Sequence, residues 1–150
     1  MSDPTSRSVC DPSAYAGEIS PTEAWRLLTE HEAAKLIDVR TQAEWSYVGL
    51  PDLSALTRQP LLVQWQIFPT MARNEAFAEQ LSAHGAHPDD LLLFICRSGV
   101  RSKAAAQFMT ALGFGRCFNV TDGFEGPHDE AKHRGSRAGW KAAGLPWVQG

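Results

Sequence analysis

The run Leu91-Leu92-Leu93-Phe94-Ile95 constrains this chain most. Five successive apolar residues have no polar face to turn to water, so the segment reads as a strand covered on both sides, the central strand of a parallel sheet. Around it, helical and strand signals alternate. Ser20 is an N-cap, Pro21 suits the first helical position and Glu23 completes a capping box, so a helix is expected to about His31 with Ala24, Leu27 and Leu28 on one face. Residues 34–39 read as a buried strand that delivers Asp38 and Arg40 at its C-terminal end, and residues 41–60, with Gly49, Pro51 and Pro60, as turn and loop. Residues 61–68 form the next strand candidate, stopped by Pro69. Residues 74–84 suit an amphipathic helix with Phe77, Ala78 and Leu81 inward, ended by Gly85. A helix over about 100–112 closes at Gly113, and residues 117–120 make a short strand. The glycine-rich tail reads as loop with a short helix near Trp140, and the five tryptophans mostly as core. Alternating strands and helices predict an α/β fold, a mostly parallel central sheet with helices on both faces. Ligands in such sheets bind beyond the C-terminal strand ends, where Asp38, Arg40 and Cys96 lie.

The 150 residues suit one domain, spanning 18–150 after a loose leader over 1–17. The leader lacks an apolar run, so no secretory signal is expected, and no segment has enough consecutive apolar residues to span a bilayer. The net charge of −3 gives no nucleic-acid signal, but it is unevenly spread. Residues 1–95 hold thirteen acidic and six basic side chains, residues 96–150 four acidic and eight basic. A basic segment in an acidic protein points to a small anionic substrate. The three cysteines, Cys10, Cys96 and Cys117, form no CxxC pair, which leaves zinc and thioredoxin-type chemistry unsupported; no metal or cofactor is expected. A cytoplasmic, reducing compartment would keep a lone nucleophilic thiol usable.

The chemistry concentrates where the apolar strand runs into Cys96-Arg97-Ser98-Gly99-Val100-Arg101-Ser102 and then a helix. Backbone N–H groups of such a loop and the positive end of the helix form an anion cradle with a sulfur at its floor. Arg97 and Arg101 add charge, and together these effects favour thiolate over thiol. A lone cysteine is more often a buried, inert core residue, the reading that suits Cys117; the loop after Cys96 argues otherwise. Cys10, in the polar leader, reads as incidental. No histidine or carboxylate forms a convincing dyad with Cys96, which argues against a papain-like protease.

These residues resemble the rhodanese family. Leu36-Ile37-Asp38-Val39-Arg40 with Glu44-Trp45 is similar to its opening signature, and Cys96 to Ser102, followed by Ala104-Ala105-Ala106 and Leu112-Gly113-Phe114, to its active-site loop and helix. Asn119-Val120 with Asp122-Gly123-Phe124-Glu125-Gly126 resembles the segment after the last strand, and the tail with His133-Arg134-Gly135 and Gly139 to Trp147 the end of some bacterial single-domain members. The likeness covers about residues 18–126. It departs at Gly49-Leu50-Pro51, where the family usually carries a histidine, and in the longer stretch between Pro51 and Asn74.

The resemblance implies a sulfurtransferase. Cys96 would take the outer sulfur of thiosulfate as a persulfide, and a thiophilic acceptor (cyanide, a thiol or a protein) would remove it. The backbone of 97–102 would stabilise the charge, and Arg97 and Arg101 would steer and hold the sulfonate end; Arg101 could instead hold the shape of the loop. Asp38 reads as an acceptor for loop backbone or Ser102, and Arg40 as a partner of Glu44 that fixes the turn. Trp45 reads either as a pocket wall or as core. Two rival readings stay open: a phosphatase or arsenate reductase on the same fold, and a non-catalytic rhodanese-like binding or regulatory module. Phosphatases of this fold use a loop one residue longer, whereas here Arg101 is the sixth residue counted from Cys96, and the intact cysteine weighs against the module. The loop also lacks the Cys-Gly-Ser-Gly-Val-Thr pattern typical of mercaptopyruvate enzymes, which favours thiosulfate as donor.

Overall fold

The computed structural model of the chain describes residues 15–67, 70, 72–97, 99–121, 123–125 and 139–148, the side chain of Tyr47 excepted. Of the expected leader, the described part is already attached to the sheet: the Ala16 N–H donates to Cys117 O at 2.8 Å, and Gly17–Ile19 form strand β1. Helix α1 (Pro21–Glu30) begins at Ser20, whose Oγ accepts the Glu23 N–H at 3.0 Å. The second half of the expected capping box does not form, because the Glu23 carboxylate turns to Arg26 instead. Strand β2 (Ala34–Asp38) follows as expected.

Residues 41–60 are more ordered than turn and loop. They contain helix α2 (Gln42–Tyr47), strand β3 (Leu50–Pro51) and a 3-10 turn at Ser54–Leu56. The local cause of α2 is a reciprocal capping box between Thr41 and Glu44. The strand expected over 61–68 splits in two. Leu61–Leu62 (β4) pairs with β2, which ends at Asp38; beyond that point the chain pairs Gln66–Ile67 (β5) with Ala72–Arg73 (β6) as a small antiparallel ladder. Val63 and Trp65 still point inward, held by N–H bonds to Asp38 O (3.2 Å) and Val39 O (3.1 Å). Pro69 lies outside the described residues.

Helix α3 (Phe77–Ala83) is shorter than expected, since Asn74 uses its side chain to accept the Ala76 N–H at 3.0 Å before the helix begins. Then come strand β7 (Leu91–Ile95), helix α4 (Val100–Ala111) and strand β8 (Cys117–Val120). Near Trp140 the chain makes a single turn, Ala143 N–H to Gly139 O at 3.0 Å, rather than a helix. The Trp140 indole N–H bonds Pro146 O at 2.6 Å, which folds the tail back so that Trp147–Val148 (β9) pairs antiparallel with β3.

The five main strands are all parallel, in the order β1-β8-β7-β2-β4, so β7 occupies the centre. Its side chains alternate between two cores. Leu92 and Phe94 join Phe77, Leu81, Ala105 and Met109 on the α3/α4 face, whereas Leu93 and Ile95 join Ala24, Leu28, Phe124 and Trp140 on the other. Burying each such side chain contributes about 1.5–3 kcal/mol, so the strand that presents the candidate nucleophile is also the best anchored. This is the α/β architecture expected.

Candidate active site

Where β7 ends, Cys96 leaves the sheet almost fully buried, at 1% exposure. Gly99 precedes α4 with φ +107, backbone that only glycine adopts without strain. This turn brings the Gly99 N–H onto Cys96 Sγ at 3.1 Å. The first turn of α4 adds the Ser102 N–H at 3.3 Å and the Ser102 hydroxyl at 3.2 Å. The sulfur thus sits at the N-terminus of a twelve-residue helix among three donors, a setting that stabilises negative charge. Val100, in the same loop, is 76% exposed, and Ser98 lies outside the described residues.

The two arginines have different fates. Arg101 does not stand over the loop. Its guanidinium forms a bidentate pair with Glu44 of α2, Nη1 to Oε1 at 2.7 Å and Nη2 to Oε2 at 2.8 Å. Burial by itself would raise the Glu44 pKa, but hydrogen bonds and charge from Arg101, helped by the Thr41 backbone N–H, prevail and hold it at about 2. Glu44 in turn pushes Arg101 up, with Cys96 and Asp38 contributing. Arg101 therefore ties the first turn of α4 to α2. Arg97 is the more available cation: its side chain is about half exposed, with Nε 3.6 Å from Glu125 Oε2.

Asp38 and Arg40 are both fully buried and pair with each other, contrary to the expected partners. Arg40 Nε lies 2.9 Å from Asp38 Oδ1, and its Nη2 bonds Asp38 Oδ2 at 2.7 Å and Gly49 O at 2.6 Å. Glu44 is unavailable to Arg40 because it caps α2 and holds Arg101. Ser102 is unavailable to Asp38 because its hydroxyl faces Cys96 and Asn119. The Arg40 guanidinium also stacks over Phe124, 4.3 Å from the ring centroid. Asp38 stands beside Ile95 in the ladder, so the pair braces the strand end next to Cys96. Trp45 is half-buried.

Three contributors hold the loop in ways not expected from the sequence. Glu44, expected to pair with Arg40, is one, through Arg101. Asn119, at the end of β8, accepts the Ser102 hydroxyl at its Oδ1 and donates from Nδ2 to Gly99 O (3.1 Å) and Glu18 Oε1 (2.9 Å). A polar residue interrupting a buried strand end was the signal for it. The third is the 123–125 turn, which staples the loop: Phe124 N–H donates to Cys96 O at 2.7 Å and Glu125 N–H to Arg97 O at 2.9 Å. Gly123 makes that approach possible, since a Cβ there would meet Cys96 O at 2.4 Å. Cys117 is a core thiol, its pKa pushed up to about 12 by burial, and Cys10 lies outside the described residues. Among the described residues no cluster of His, Cys, Asp and Glu could hold a metal ion, and no helix is long and apolar enough to cross a membrane.

Residues 16–150 match a family model described as the STR4 middle domain. An uncharacterized protein of Rickettsia rickettsii, the RP600 homolog, is 37% identical over 130 residues, covering 86% of this chain and 94% of that one. The thiosulfate sulfurtransferase GlpE of Actinobacillus pleuropneumoniae is 30% identical over 129 residues, covering 86% and 90%. The crystal structure of Rv0390 from M. tuberculosis superposes with a TM-score of 0.83 at 43% identity, covering 91% of this chain and all of that one.

Proposed function

This chain belongs to the rhodanese-like family, and on that premise we propose that it is a thiosulfate sulfurtransferase working through a persulfide on Cys96. The observation that carries the proposal is the sulfur's setting: a buried Cys96 Sγ at the foot of α4, facing the Gly99 and Ser102 N–H groups and the Ser102 hydroxyl. In the first half-reaction the Cys96 thiolate attacks the outer sulfur of thiosulfate. The new S–S bond forms as the old one breaks, and sulfite leaves with the bonding pair. The enzyme then holds Cys96–S–S⁻, whose charge the loop donors stabilise. In the second, cyanide or a thiolate attacks the outer sulfur; thiocyanate or a new persulfide departs, and the Cys96 thiolate returns. Arg97, at the exposed lip, meets the sulfonate, while Arg101, committed to Glu44, keeps the loop in shape. The six-residue span from Cys96 to Arg101 and the sulfurtransferase among the relatives favour sulfur over phosphorus. A small anionic donor and a cytoplasmic thiol or protein acceptor fit this chemistry.

Cys96→Ser is expected to abolish thiosulfate:cyanide turnover while the fold is kept. Mass spectrometry after thiosulfate treatment is expected to show one added sulfur, about 32 Da, on Cys96. Full turnover by the variant overturns the assignment. Turnover of phosphate esters alone makes the phosphatase the better reading.

A further inference from the structure

The hydrogen-bond pattern around Ser102 contains a competition. The Asn119 amide has a defined orientation: Nδ2 faces Gly99 O and Glu18 Oε1, both of which only accept. Its other end, Oδ1, is therefore the atom 2.5 Å from Ser102 Oγ, and it too only accepts. The Ser102 hydroxyl has one hydrogen and two neighbours that want it, Asn119 Oδ1 and, when ionised, Cys96 Sγ at 3.2 Å. With a Cys96 thiol the chain is satisfied throughout: S–H donates to Ser102 Oγ, whose O–H donates to Asn119. With a thiolate the hydroxyl must turn to sulfur, which strips a buried carbonyl oxygen of its donor, or stay with Asn119 and leave the sulfur with two backbone donors.

We propose that Asn119 is a positioning residue: its carboxamide oxygen competes with the Cys96 sulfur for the single Ser102 hydroxyl hydrogen, and so sets how much of that donor the sulfur receives. Asn119 touches no reacting atom and acts through Ser102. Glu18, on the far side of the amide, reinforces the effect, because accepting from Nδ2 makes Oδ1 a stronger acceptor. The competition withholds the hydroxyl hydrogen from the resting sulfur. Once the charge moves out to the terminal sulfur of a persulfide, the inner sulfur no longer needs the hydroxyl, and the hydrogen returns to Asn119. Of the other charged groups around the loop, Arg101 pairs with Glu44, Arg40 with Asp38 and, more loosely, Arg97 with Glu125, while Lys103 lies over the Tyr15 ring and Lys141 over Trp147.

The inference uses the proposed role of Cys96 as nucleophile, but its readout is alkylation and not sulfur transfer. A Cys96 that alkylates in a protein without sulfurtransferase activity would sink the functional reading and leave this one standing. The experiment measures iodoacetamide alkylation of Cys96, followed by peptide mass, at about pH 6 and about pH 9. Asn119→Leu removes the competing acceptor and is expected to raise the rate at the lower pH about fivefold, the worth of roughly one hydrogen bond, with the two proteins converging at the higher. If Asn119 merely held Gly99 in place, its loss would misplace a sulfur donor and lower the rate. Asn119→Ala removes the same oxygen and replaces Asn119→Leu if that variant does not fold. The decisive arm is Ser102→Ala, in which the Asn119 substitution is expected to change nothing. A lower rate in Asn119→Leu, or an increase that persists without the Ser102 hydroxyl, overturns the proposal.

Discussion

The Glu44–Arg101 pair ties α2 to the active loop, and replacing Glu44 by Gln tests what that tie contributes. Both side chains are mostly buried, 19% and 17% exposed, and both guanidinium contacts are short. The Glu44 pKa stands at about 2 in the folded chain against an ordinary 4.5. That difference corresponds to about 3 kcal/mol of stabilisation at neutral pH, which residual solvent screening reduces to about 2 kcal/mol. The sign follows from the depressed value. The contribution is fully present above the unfolded pKa of 4.5 and is lost as pH falls through about 2. Glu44→Gln is therefore expected to cost about 2 kcal/mol in urea denaturation at pH 7, or roughly 4–8 °C in Tm for a domain of this size. Near pH 3 the same comparison is expected to give about half that cost, because wild type has by then lost much of the charge contribution. Equal destabilisation at the two pH values would show that Glu44 acts through packing or capping and not through its charge, and no loss at pH 7 would refute the reasoning entirely.

Two further outcomes follow from geometry. Gly123→Ala places a Cβ against Cys96 O at 2.4 Å and Arg97 O at 2.7 Å, on a backbone at φ +62; it is expected to cost more than about 2 kcal/mol and to lower activity, and an unchanged Tm would contradict the staple. Cys117, with its pKa near 12 and no exposure, is expected to resist iodoacetamide at pH 8 until the protein is denatured; peptide mapping that finds it labelled as fast as Cys96 would contradict its core placement.

The parts legible in the sequence are those where a single segment carries its own cause. β7 was readable because both its faces are apolar, and the loop because Cys-Arg-Ser-Gly-Val-Arg joins a buried strand to a helix start. The partners of the loop were not. Arg101 meets a residue 57 positions away, and Ser102 one 17 positions away, so no local spacing signals either contact. Arg40 and Glu44 are four apart, which suggested a pair, but Thr41 starts the helix between them, leaving Arg40 in extended chain facing Asp38. The strands described within the 49–74 segment are two residues each, too short for any periodicity to register.

The staple on the loop also bears on the order in which the protein becomes competent during synthesis. The backbone carbonyls of Cys96 and Arg97 find their donors in Phe124 and Glu125, Ser102 finds Asn119, and Asn119 leans on Glu18, made a hundred residues earlier. Among the described strands, β1 pairs with β8 alone. A ribosome-bound chain that has emerged only as far as α4 therefore carries its thiol on a loop with neither buttress. The hydrogen bonds that hold this loop are complete only when Asn119, Phe124 and Glu125 have joined the fold.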